Sequence, residues 1–278
     1  MYRAILPALA LILTLGCSGP AEQGRVTHER LHGVLWMQTS AEYVACATQT
    51  YQTASSILDE ALADSSWTAC MEQQPGHEKL PPAVILDVDE TVLDNTAFEA
   101  RLIKQNAEFD PDIWWPWCRE AKAPPVPGSL TFLREAKAKG VAIFYVTNRS
   151  HEIKEATLEN LQRFNFPDSD DPTHLLTKNE QEGWGSDKAT RRAHVANTHR
   201  VVMLFGDNFN DFASRTRVPP EARVRSAERY HDMWGRKWFM LPNPDYGDWE
   251  GALWDFERPE ADSTRLRIKY SRLNTLED

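Results

Sequence analysis

Apolar residues gather along the chain in short runs separated by polar stretches with helical signals. Val84-Ile85-Leu86, Val141-Ala142-Ile143-Phe144-Tyr145-Val146, His174-Leu175-Leu176-Thr177, Val201-Val202-Met203-Leu204-Phe205 and Trp238-Phe239-Met240-Leu241 read as five strands. Near-continuous apolar runs of this length fit strands covered on both faces. Between them, Gly128 to Lys139 reads as a helix closed by Gly140. Ser150 can cap a helix through about Phe164, and Ser186 starts another. This alternation predicts an α/β fold, a parallel sheet with right-handed crossovers. Ahead of the sheet, residues 30 to 65 read as one long N-terminal helix with the stripe Leu31, Val34, Leu35, Gln38, Ala41, Val44, Ala45 and Thr48. Residues 66 to 82 read as a polar connection, and the charged last dozen residues as a surface helix. Residues 94 to 127 break the pattern with Phe98, Phe109, Trp114, Trp115, Trp117 and several prolines. They read as a small, mainly helical cap. The tryptophans are assigned to the cap core; Phe98 fits a substrate wall and a cap core equally.

The first residues follow another pattern. Arg3 is the only charge before a thirteen-residue apolar run, Ala4 to Gly16. That run is short for a membrane span and suits a signal h-region. It ends in Leu13-Thr14-Leu15-Gly16-Cys17-Ser18, which resembles a bacterial lipobox, although Thr14 stands where leucine is common. Residues 1–17 are therefore expected to be a lipoprotein-type signal with Cys17 as the lipid attachment site, residues 18–29 a tether, and residues 30–278 the folded domain. The chain is expected to be exported from a bacterial cell and either lipid-anchored to the outer membrane or periplasmic. An ordinary secreted protein with an incidental Cys17 is the alternative.

Composition narrows the partners. Of 278 residues 41% are hydrophobic, enough for a sizeable core, and the net charge of −10 without a basic stripe disfavours a nucleic-acid polymer. Beyond Cys17 the chain has Cys46, Cys70 and Cys118. An oxidising compartment permits one disulfide, and Cys46–Cys70 is the nearer pair. No spacing suggests a zinc site.

The chemistry sits at strand ends. The first strand stops at Asp87-Val88-Asp89-Glu90-Thr91, two carboxylates spaced i, i+2. Such a pair is costly unless a cation, a lysine or a bound proton offsets it. The second strand ends in Thr147-Asn148-Arg149 and the fourth in Gly206-Asp207-Asn208-Phe209-Asn210-Asp211, while a helix supplies Lys188. Each piece alone is weak; their order is not. Together they hold what phosphoryl transfer through an aspartyl-phosphate requires: a nucleophilic carboxylate, a carboxyl for proton transfer, oxygen ligands for magnesium, and donors for the phosphate oxygens.

These segments resemble the haloacid dehalogenase superfamily, and Asp87 to Asn95 is similar to the class C acid phosphatases, bacterial outer-membrane lipoproteins. The likeness continues at Val34 to Tyr43, Phe144 to Arg149, Gly206 to Asn208 with Asp211-Phe212, and Met240 to Pro244 with Tyr246-Gly247 and Trp249-Glu250-Gly251. The resemblance implies a Rossmann-like sheet and an Mg2+-dependent phosphatase, one ion per site, acting on small phosphomonoesters such as 5′-nucleotides, nicotinamide mononucleotide among them. It implies Asp87 as nucleophile and metal ligand. Asp89 would be the acid/base, binding metal through its carbonyl. Thr147 would bind phosphate with Asn148 and Arg149 nearby, Lys188 would neutralise the phosphoaspartate, and Asp207 and Asp211 would serve the metal. Phe98 and Tyr246 fall where that family sets aromatics against a flat leaving group. Asn210 departs from the family, which often has an acid there. A phosphotransferase with the same intermediate, or a surface-binding lipoprotein on a retired phosphatase fold, are the rival readings. The oligomeric state stays open, a homodimer among the options.

Overall fold

The computed structural model describes residues 28–276; Cys17, the apolar run and nearly all of the tether lie outside them. In chain order the helices and strands are α1 (Leu31–Thr39), α2 (Ala41–Ala63), β1 (Pro82–Leu86), α3 (Thr96–Gln105), α4 (Pro111–Glu120), α5 (Ser129–Ala138), β2 (Ala142–Ser150), α6 (Lys154–Arg163), β3 (Leu175–Lys178), α7 (Ala189–Ala196), β4 (Arg200–Gly206), α8 (Pro220–Arg229), β5 (Trp238–Met240), α9 (Asp248–Gly251) and α10 (Asp262–Ser271). No helix among the described residues is long and apolar enough to cross a membrane.

All five strands run parallel in the order β3-β2-β1-β4-β5. β1 is central, and successive connections leave it in opposite directions: β2 and β3 lie to one side, β4 and β5 to the other. The crevice beyond its carboxyl end is where such sheets bind ligands. Alternate residues of β1 serve two separate cores. Val84 and Leu86 pack with Tyr51 of α2 and Phe132 of α5, whereas Ala83 and Ile85 pack with Phe212 and Trp238 on the other face. Both faces being covered explains the unbroken apolar runs.

The expected single N-terminal helix is two. Ser40 has extended backbone (φ −88°, ψ 140°) and its hydroxyl accepts the Tyr43 N–H at 3.0 Å. A serine N-cap thus starts α2 inside an apolar spacing that continues across the break. Residues 66 to 82 also differ from a plain polar connection. Ala69 N–H donates to Val201 O at 2.8 Å and the Trp67 indole to Val202 O at 2.9 Å, so this segment packs onto β4. Cys46, Cys70 and Cys118 are all free. Cys46 lies on α2 while Cys70 belongs to the core of the opposite sheet face, so the nearer pair in sequence is divided by the sheet.

The cap comprises α3 and α4. Its two ends are pinned together, because Asp94 N–H donates to Pro124 O at 2.8 Å and Val126 N–H to Val92 O at 3.0 Å. Below it, Tyr51 holds the acidic loop from α2. Its ring stacks on Phe205 with centroids 5.4 Å apart, and its hydroxyl donates to Thr91 O at 2.7 Å.

Tyr51→Phe keeps the stack but leaves a buried carbonyl without its donor. A loss of about 1–2 kcal/mol is expected, read as a lower denaturant midpoint at unchanged slope.

Candidate active site

β1 and β4 end side by side. Leu86 pairs with Phe205, and Asp87 N–H donates to Phe205 O at 3.0 Å. The residues that follow each strand therefore converge: Asp87, Asp207 and Asp211 offer carboxylate oxygens that all lie within 4.8 Å of one another. Lys188, at the N-cap of α7 and 3% exposed, reaches between them. Its Nζ donates to Asp211 Oδ1 at 2.6 Å and to Asp87 Oδ1.

Local backbone makes this crowding possible. A Cβ on Gly206 would sit 2.2 Å from Asp211 Oδ2, so only glycine fits beneath that carboxylate. Asn208 N–H donates to Asp211 Oδ2 at 2.9 Å, and the Asn208 side chain caps the same turn. Asn210, at the position where the resembled family often has an acid, adds no charge. Its Nδ2 donates to Ser186 O at 2.8 Å and ties the turn to the approach of α7. Asn243, unassigned by the sequence reading, donates from Nδ2 to Asp207 Oδ2 at 2.9 Å.

The charges do not balance. Burial pushes the Asp87 carboxyl up to about 7; Lys188 opposes this, and the Asp211 and Asp89 charges add to it. Burial, then Asp211 and Asp87, raise Asp207 well above the carboxylate range. Lys188 is raised overall, because the attraction of Asp211 and Asp87 outweighs its burial. A compact set of hard oxygen donors with surplus negative charge fits a divalent cation, which would bring these groups back to their ionised forms.

Asp89 stands apart from this trio. Arg149 donates to its Oδ1 from Nε at 3.0 Å and from Nη2 at 2.8 Å, and Asn95 Nδ2 donates to the same oxygen at 2.8 Å. Asn95 Oδ1 in turn accepts the Trp117 indole N–H at 2.9 Å. The guanidinium expected near phosphate is thus engaged by the neighbouring acid, and a cap tryptophan orients that acid through Asn95. The register of β2 shifts against β3 between Val146 and Ser150. In this irregular stretch Thr147 is fully buried and its Oγ1 accepts the Arg149 N–H at 3.0 Å. Thr147 is therefore directed to its own backbone rather than to the cavity lining. Arg191 holds the same stretch, donating to Thr147 O, to Asn148 Oδ1 at 2.6 Å and to Gly185 O at 2.8 Å.

A cavity of about 360 Å3 opens on Asp87, Asp89, Asn148, Arg149 and Lys188. Its aromatic lining is Phe109, Trp114 and Tyr246. Phe98 is not part of it. At 2% exposure it lies beneath the wall, its ring 4.9 Å from Trp114 and 6.4 Å from Phe109, both edge-on. The position next to the acids pointed to Phe98, but α3 turns that side chain into the cap core. Trp114, assigned to the core by sequence, is half-exposed and sits 5.2 Å from the Arg149 guanidinium carbon. Arg30 and Glu99 also line the cavity and carried no recognisable motif. Asn95 and Asn243 did lie inside family-like blocks, which was the available signal for them.

Comparison with known proteins agrees with this geometry. The profile of the haloacid dehalogenase (HAD) superfamily, subfamily IIIB (acid phosphatase), matches residues 22–249. Acid phosphatase 1 of Solanum lycopersicum is 28% identical over 167 residues, 58% of this chain and 57% of that protein's length. The class C acid phosphatase from Bacillus anthracis is similar in structure, with a TM-score of 0.79 at 35% identity over 89% of this chain and 98% of that one. Its tungstate-bound form gives a TM-score of 0.80 at 34% identity over 91% and 99% of the two chains. With a profile match over most of its length and the strand-end carboxylates in place, this chain belongs to the HAD superfamily, subfamily IIIB, the acid phosphatase family.

Proposed function

We propose that this chain is an exported, Mg2+-dependent acid phosphatase that hydrolyses small phosphomonoesters through an aspartyl-phosphate on Asp87. The observation that carries the reading is the clustered trio Asp87, Asp207 and Asp211 lining the cavity, with Lys188 bonded to Asp87 and Asp211. No stability argument favours three crowded acids, two of them buried, around one lysine; a functional site does. Magnesium held by the trio and by the Asp89 carbonyl would neutralise charge between the acids and the phosphate.

The protein groups then divide the work. An Asp87 carboxylate oxygen attacks phosphorus and the ester P–O bond breaks. The leaving oxygen takes a proton from Asp89. Water next attacks the phosphoaspartate and gives its proton to Asp89, which releases phosphate and restores Asp87. Lys188 offsets the negative charge of the Asp87 carboxylate and of the phosphoaspartate formed on it, and Arg149 with Asn95 holds Asp89 in place. A relative from Bacillus anthracis carries tungstate, a tetrahedral oxyanion like the group transferred here.

The aromatic lining favours a flat leaving group. Phe109, Trp114 and Tyr246 around a cavity of about 360 Å3 suit a mononucleotide, and stacking tolerates different bases. The lipobox-like Cys17 supports anchoring to the outer membrane or release into the periplasm, since one acyl-bearing end attaches a domain without spanning.

Asp87→Asn is expected to lower phosphate release by about 10³-fold or more, with an unchanged circular dichroism spectrum and a melting temperature no lower than that of wild type. Wild-type-like turnover by that variant would overturn the mechanism. Dialysis against a chelator should abolish hydrolysis of a panel of 5′-nucleotides and restoring Mg2+ should recover it. Phosphoryl transfer to added alcohols in excess of phosphate release would instead favour a phosphotransferase.

A further inference from the structure

The cavity lining contains a second charged cluster that the phosphoryl chemistry does not use. Arg30 Nη1 donates to Glu99 Oε2 at 2.5 Å. The Asp245 carboxyl faces the same carboxyl group, so a proton on either acid can bridge the two. Both acids are only 4% exposed, and neither Asp245 carboxyl oxygen accepts a hydrogen bond from a donor among the described residues, which leaves it needing a proton. Two buried carboxyls beside one guanidinium accommodate one negative charge readily; the second acid is best held as its proton-bearing form.

The cluster joins three parts of the fold. Arg30 precedes α1, Glu99 belongs to the cap helix α3, and Asp245 sits in the loop between β5 and α9. The next residue of that loop is Tyr246, which lines the cavity. The loop also reaches the acidic trio. Asn243 Oδ1 accepts the N–H groups of Asp245 and Tyr246 at 3.0 and 3.3 Å, while its Nδ2 holds Asp207. Against α1 the fit is close, since a Cβ on Gly33 would lie 3.2 Å from the Asp245 Cα.

We propose that Asp245 is a positioning residue: the proton it shares with Glu99 latches the Tyr246 loop to the cap, and loss of that proton loosens the aromatic wall and weakens substrate binding. The effect on substrate rests on the phosphatase reading above, but the latch belongs to the free protein. The groups facing it are Arg30, Glu99 and Glu250, with His28 also near Glu99. Burial and then the Glu99 charge push Asp245 up to about 7, Arg30 opposes, and Glu250 adds. Burial also raises Glu99, against the pull of Arg30.

The sign follows from linkage. A carboxyl raised on folding keeps its proton longer in the native state than in the unfolded chain. Stability is therefore greatest below the unfolded value near 4 and falls as pH rises through the folded value near 7.

The test uses the full chain and p-nitrophenyl phosphate. Wild-type KM should rise about threefold or more from about pH 6 to pH 8, because affinity falls with the fraction of chains holding the loop in place. Asp245→Asn keeps a donor toward Glu99 at every pH, so its KM should stay flat over that range. Asp245→Ala should show the raised KM at both ends. A KM step in Asp245→Asn equal to that of wild type would overturn the proposal. Melting curves give a reading without turnover. Asp245→Asn should melt above wild type at about pH 8 and level with it at about pH 4. Equal melting at both pH values would sink the latch. Absence of turnover in wild type, with the melting difference present, would sink the phosphatase reading and leave the latch standing.

Discussion

Lys188 faces more negative charge than it can offset. Asp87, Asp207 and Asp211 crowd the carboxyl ends of β1 and β4, and the lysine bonds to two of them. Much of the surrounding structure serves this imbalance. Gly206 lacks a side chain because Asp211 occupies the space, and the Asn208 turn fixes that carboxylate from its other side. α2 braces the acidic loop through Tyr51, and Arg191 fixes the irregular end of β2 beside α7. A residual negative potential inside a crevice is a poor way to stabilise a fold and a good way to attract a cation.

Arg149 and Asn95 make a second, separate arrangement around Asp89. The two acids of one short motif consequently differ in surroundings: Asp87 bonds to lysine near other carboxylates, while Asp89 accepts three donors from two neutralising or neutral partners. Different environments for two carboxyls suit different roles for them. Asn243 provides the corresponding link on the opposite side, from Asp207 to the loop that carries Tyr246.

The sheet was legible because each strand is buried on both faces and so reads as an apolar run. Its polar ends were legible for the same reason in reverse: charges directly after such runs have no ordinary structural role. Side-chain direction was harder. Phe98 follows the acids closely in sequence, but helical geometry carries it into the cap, whereas Trp114, sixteen residues later, returns to the cavity. Ser40 hid within a periodic pattern because a cap changes backbone angles without disturbing apolar spacing. Arg30, Glu99 and Asp245 come from three distant segments, and a cluster of that kind exists only once the chain has folded.

The hydrogen bond from Trp117 to Asn95 alters how the cap is best regarded. A cap inserted after the first strand looks like an exchangeable module, free to change shape while the acids at the strand end stay constant. Here the cap tryptophan holds the asparagine that holds Asp89. Exchanging this cap for another would therefore change the aim of Asp89 along with the shape of the cavity. Any replacement cap would have to supply an indole, or an equivalent donor, at this one position to keep Asn95 and Asp89 where they are.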